Sequence, residues 1–68
     1  MAEIKLLIND EEKILSSSNL SQLLDDLKIN KDKTAIELNG KIITTDKWAE
    51  TKLESNDRIE IVTFVGGG

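Results

Sequence analysis

Few residue types in this chain can do chemistry, and those absent direct attention to its last residues. Its 68 residues include no His, Cys or Tyr. That removes the usual general base and the strongest side-chain nucleophile. Ser, Thr, Lys and carboxylates remain, but a hydroxyl nucleophile needs a positioned base. The composition therefore argues against an enzyme. Without cysteine there is also no disulfide and no thiolate metal site, and no metal is expected. After Glu60 no side chain is charged, and the sequence reads Val65-Gly66-Gly67-Gly68, with three of its four glycines at the very end. A glycine end alone is weak evidence, because a frayed terminus looks the same. What lies upstream decides how to read it.

The elements upstream are short and regular. Ile4, Leu6 and Ile8 alternate with Glu3, Lys5 and Leu7, as in a half-buried strand. Leu7 breaks the polar alternation, so part of the second face is expected to be covered. Asn9-Asp10-Glu11 supplies a turn, and Lys13-Ile14-Leu15 returns as a paired strand. Ser16-Ser17-Ser18 is a polar loop before the main helix. Leu20, Leu23, Leu24 and Leu27 share one helical face as a core stripe. Asn19 is the expected N-cap, and Gln22 stands where a capping-box partner would reach back. Lys28 suits the negative end of the helix dipole, and Asn30 is the expected left-handed stop. Lys28 to Lys33 reads as a solvated loop.

Thr34 to Leu38 is a strand, Asn39-Gly40 a type I′ hairpin turn, and Lys41 to Thr44 the return. Thr45 to Ala49 reads as a short helical turn, with Trp48 as a core lid. Ser55-Asn56-Asp57 leads into a last strand, Arg58 to Phe64, whose Ile59 and Ile61 face inward. The reading is an α+β fold: a mixed sheet of about five strands with one helix across one face. The globular domain is expected over 1–65, with a flexible tail at 66–68. Arg58 and the acidic residues read as solvated.

Composition narrows the partners. The formal net charge is −4, which leaves no basic footprint for nucleic acid. No stretch is long or apolar enough to cross a membrane, and the charged N-terminus is no signal peptide. A cytoplasmic protein, monomeric when free, is expected.

Together these features resemble the ubiquitin-like β-grasp superfamily, and within it the sulfur carriers of thiamine biosynthesis, the ThiS family. Asn39-Gly40-Lys41-Ile42-Ile43 is similar to that family's turn after the third strand, and Trp48-Ala49 falls where it often has a Trp. Asp57 to Gly68 is the most specific segment, and the resemblance covers essentially the whole chain. Lys28 departs from the pattern, standing where relatives often end the helix with Gly, and so does the serine loop.

The resemblance implies that a ubiquitin-activator-like enzyme of the ThiF type spends ATP to adenylate the Gly68 carboxylate. A sulfur donor such as a cysteine desulfurase then yields a thiocarboxylate, and a ThiG-type thiazole synthase takes the sulfur. No cofactor would be bound by the chain itself; ATP belongs to the partner. Gly66 and Gly67 would thread into the partner's site. Val62, Phe64 and Val65 would contact it, with a core position the other reading for Phe64. Two other readings fit the same pattern: the small sulfur-carrying subunit of molybdopterin synthase, and a ubiquitin-like modifier or docking module.

Overall fold

The computed structural model describes residues 3–64. The expected boundary between domain and tail, at 65/66, lies outside the described residues. Strand β1 (Ile4–Ile8) turns through Asn9 and Asp10, both at positive φ (49° and 66°), into β2 (Glu11–Leu15). Positive φ at both central residues is the backbone a tight, right-twisted hairpin needs, and Asn and Asp tolerate it. Glu11, expected in the turn, already pairs with Ile8.

Helix α1 (Leu20–Asp26) follows, with Asn19 as its N-cap accepting the Gln22 N–H at 2.8 Å. Gln22 does reach back, but one residue further than a capping box requires. Its Oε1 accepts from both the N–H and the hydroxyl of Ser18, at 2.7 and 2.8 Å. The serine loop is not simply solvated. Ser17 is buried and its hydroxyl donates to Asp26 at 2.5 Å, tying the loop to the far end of the helix.

The helix stop corrects the expectation. Lys28, not Asn30, takes the left-handed conformation (φ 59°). Lys28 N–H donates to the Asp25 carbonyl at 3.1 Å, and Ile29 N–H to the Leu24 carbonyl at 2.9 Å. This is a Schellman ending, in which Ile29 turns back onto the core. The need to seat Ile29 fixes the stop two residues before Asn30. Asn30 instead caps a 3₁₀ turn, Lys31–Lys33, by accepting the Asp32 N–H at 2.9 Å. Lys31 there is no free loop lysine: it pairs with Asp25 at 2.8 Å and donates to the Ser21 hydroxyl at 3.0 Å.

Strands β3 (Thr34–Leu38) and β4 (Lys41–Ile43) are joined by Asn39 and Gly40, at φ 50° and 88°, the predicted type I′ turn. A second 3₁₀ segment, Thr45–Glu50, buries Trp48, whose indole N–H donates to the Ile43 carbonyl at 2.8 Å. The ring fills the core while its one polar atom is satisfied. On the same segment the Asp46 carboxyl is held below its ordinary value, chiefly by the Thr44 hydroxyl. The last strand is β5 (Arg58–Thr63).

The sheet runs β2-β1-β5-β3-β4, mixed because β5 lies parallel to β1 and antiparallel to β3. Leu6, Ile8, Ile36 and Ile59 from the sheet meet Leu20, Leu23 and Leu24 from α1, with Trp48 and Leu53 closing the side. Leu27 and Ile61, expected in this core, are half-buried against it.

Leu24 has no solvent-exposed area, so Leu24→Ala is expected to cost about 2–5 kcal/mol in chemical denaturation. Lys28→Gly is expected to stabilise by about 1 kcal/mol, because glycine adopts positive φ without a Cβ clash. Lys28→Ala, measured the same way, should give no gain, which separates backbone relief from loss of charge.

Candidate functional site

The candidate site is the end of β5 and the sheet face beside it. Hydrogen bonds hold β5 from both sides. On one side Leu7 N–H donates to the Asp57 carbonyl and Asn9 N–H to the Ile59 carbonyl, both at 2.9 Å. β1 ends there, and the Asn9 carboxamide carries the pairing one step on. It accepts the Ile61 N–H at 2.7 Å and donates to the Ile61 carbonyl at 3.2 Å. On the other side Asn39 N–H donates to the Arg58 carbonyl at 2.8 Å, and the Asn39 side chain accepts the Arg58 N–H at 2.9 Å. The Asn39 amide nitrogen also donates to Asp57 at 3.1 Å, and Asp57 receives the Glu54 N–H at 2.8 Å. The two turn asparagines, read in the sequence only as turn formers, thus also lock the strand that carries the tail.

The last described bond of the strand is Phe64 N–H to the Lys33 carbonyl, at 2.7 Å. It fixes the point from which the chain continues to Val65 and the glycines. Val65, Gly66, Gly67 and Gly68, all named as site residues, lie outside the described residues. Val62 and Phe64 are described, and both are exposed, at 54% and 58%. Phe64 is therefore not a core residue. Ile59 and Ile61 take the inward positions, and strand alternation sends Arg58, Glu60 and Val62 to the opposite face.

That opposite face is open among the described residues. The helix and the 3₁₀ segment bearing Trp48 both pack on the core side. Ala35 lies beside Val62, Ile42 beside Glu37, and Glu37 directly opposite Glu60. Ala35, Ile42, Val62 and Phe64, with the two glutamates, line a shallow hollow next to the end of β5. A second, more polar hollow adjoins it, between Leu7, Asn39, Asn56 and Arg58. Sequence reasoning assigned Arg58 and the acids to solvent and missed the Glu37–Glu60 pairing. The residues are 23 positions apart in sequence, and only the register between β3 and β5 brings them together. Among the described residues no group of His, Cys, Asp and Glu is arranged to hold a metal ion. No described helix is long and apolar enough to cross a membrane.

The described residues present an open sheet face, part apolar and part acidic, beside the end of β5. Over 66 residues, 96% of its length, the chain is 38% identical to a thiazole synthase of Paramagnetospirillum magneticum, but it spans only 20% of that relative's length. It is 37% identical over 62 residues to the uncharacterized protein ycf40 of Trieres chinensis, covering 90% of this chain and 85% of the other. The crystal structure of the thiamine biosynthesis protein ThiS from Geobacter metallireducens superposes with a TM-score of 0.81 at 26% identity, covering 96% of this chain and all of that one. The β-grasp architecture is that of this structure, and with the family pattern matching residues 1–68 the chain belongs to the ThiS family.

Proposed function

We propose that the chain is a sulfur carrier whose chemistry takes place on the α-carboxylate of Gly68. The observation that carries this reading is a ThiS-family fold whose central strand runs directly into Val65-Gly66-Gly67-Gly68. A carboxylate is a poor electrophile until one oxygen becomes part of a leaving group. A ThiF-type partner therefore joins it to the AMP portion of ATP, with release of pyrophosphate. A donor that supplies sulfur at the sulfide level then attacks the acyl carbon and AMP departs, leaving a thiocarboxylate; a persulfide donor instead forms an acyl disulfide with loss of AMP, and a thiol reductant then cleaves it to the thiocarboxylate and the donor's thiol. The chain is a substrate in each step and not the catalyst.

The glycines suit this handling. Without Cβ they admit phosphate and nucleophile close to the backbone. Four residues beyond Phe64 span at most about 14 Å when extended. The partner's reacting centre then lies within that reach of the anchored end of β5. The apolar hollow at Val62 and Phe64 supplies the docking contact, since exposed aromatic and aliphatic side chains beside a polar rim are typical interface anchors. The acceptor is a ThiG-type thiazole synthase. A relative bearing that name contains a segment similar to nearly this whole chain, within a protein about five times longer, which supports that pairing. The same name favours the thiamine pathway over molybdopterin synthesis.

Incubated with the adenylating enzyme, ATP and a sulfur source, the parent chain is expected to gain mass by one oxygen-to-sulfur exchange. Deleting Gly68, or adding one residue after it, should abolish the exchange without lowering the melting temperature. Gly67→Val should slow it, by placing a β-branched side chain where the backbone must pass. An extended chain that still exchanged oxygen for sulfur would overturn the reading. Phe64→Ala should leave thermal stability nearly unchanged and weaken binding to the adenylating enzyme or to thiazole synthase. A collapse in melting temperature with affinity intact would return Phe64 to a structural role.

A further inference from the structure

Beyond Ile59 the two edges of β5 are held unequally. Its peptide groups alternate in direction, those of Arg58 and Phe64 turning toward β3 and those of Ile59 and Ile61 toward β1. On the β3 side the register runs on to Thr34 opposite Thr63, and the Lys33 carbonyl adds a bond at Phe64. On the β1 side pairing stops at Ile8 opposite Ile59, where β1 enters its turn. Past that point, among the described residues, the one hold on this edge is the Asn9 side chain. It accepts the Ile61 N–H at 2.7 Å and donates to the Ile61 carbonyl at 3.2 Å. The exposed apolar pair, Val62 and Phe64, comes immediately after. A strand end paired along one edge only is the part of a sheet most prone to open.

Resting on the reading of the chain as a sulfur carrier, we propose that Asn9 is a positioning residue. Its carboxamide keeps the end of β5 in the sheet, and so holds Val62 and Phe64 in the arrangement that the adenylating enzyme binds. The turn alone does not require an asparagine, because glycine adopts the same positive φ. Asn39 is the matched case. It too opens a hairpin turn, at φ 50°, and its side chain accepts a β5 N–H, that of Arg58 at 2.9 Å. That bond sits at the first residue of the strand, far from Phe64, whereas Ile61 lies close before it. A partner that binds only the ordered end loses affinity in proportion to the chains that lack it. Loss of the Asn9 grip therefore raises KM and leaves kcat alone, since the bound chain is the same.

The test uses the full chain as parent, Asn9→Gly, Asn39→Gly, Phe64→Ala, and Asn9→Gly combined with Phe64→Ala. Glycine keeps the positive φ, so each asparagine variant loses its side-chain bonds and not its turn. The first measurement is amide hydrogen exchange of the free chain. Phe64 N–H bonds to Lys33 and not to Asn9, so its exchange reports whether the grip reaches beyond Ile61. It should be several-fold faster in Asn9→Gly and parent-like in Asn39→Gly. Pyrophosphate release by the adenylating enzyme, with sulfide as the sulfur source, then gives KM and kcat for the chain. Asn9→Gly should raise KM about fivefold at unchanged kcat. Asn39→Gly also loses its side chain's bonds to Arg58 and Asp57. It should melt at a similar temperature and keep the parent KM. In the Phe64→Ala background, Asn9→Gly should add little, because the residue it acts through is gone.

Parent-like Phe64 exchange in Asn9→Gly would overturn the inference, as would an equal rise in KM with Asn39→Gly or full additivity with Phe64→Ala. An Asn9→Gly chain that melts well below Asn39→Gly would also overturn it, by making the bond structural. Faster Phe64 exchange with a parent-like KM removes this inference and leaves the carrier reading standing. A parent chain that supports no pyrophosphate release removes both.

Discussion

The whole arrangement depends on the central strand being hydrogen-bonded along both sides. β5 lies between β1 and β3, so the segment leading to the tail is the least free to fray. Asn9 and Asn39 extend that restraint past the ends of ordinary pairing. Each asparagine does two things at once. Its backbone adopts the positive φ that closes a hairpin, and its amide pairs with a peptide group of β5 where the neighbouring strand has ended. An alanine at either position would lose both. A rigid strand that ends at a defined bond, Phe64 N–H to Lys33 carbonyl, sets a fixed origin for the tail.

The second constraint is that a domain of this size has one core. Burying α1 and Trp48 on one side of the sheet uses the apolar residues of β1, β3 and β5 that point that way. The other side is left with Val62, Phe64 and Ile42 in solvent. Their exposure is costly unless another surface covers them. Under the proposed function that surface belongs to a partner, since Val62 and Phe64 stand at the end of β5 from which the sequence continues to its glycines. One face makes the domain stable, and the other is proposed to make it specific.

Much of this was legible in the sequence. Strand alternation, the leucine stripe, the Asn39-Gly40 turn and the indole lid are local patterns, and each appears at its expected place. The misses share a physical cause. Lys28 takes the left-handed stop, although Asn30 has the better intrinsic preference, because Ile29 must return to the core. Tertiary packing overrides local propensity there. The Glu37–Glu60 juxtaposition, which was missed, and the choice between surface and core for Phe64, which was left open, depend on strand register and on which face α1 covers. Neither quantity is encoded in any short window. The proposed chemistry rests on the family resemblance together with the composition, since a chain without His, Cys or Tyr offers few other groups for it.

The most direct measurement is fragmentation mass spectrometry of the chain isolated from cells actively making thiamine. The account predicts a fraction of molecules with one oxygen replaced by sulfur, the change confined to the fragment ion containing Gly68. Sulfur located on an internal residue, or a population of chains carrying none, would contradict it.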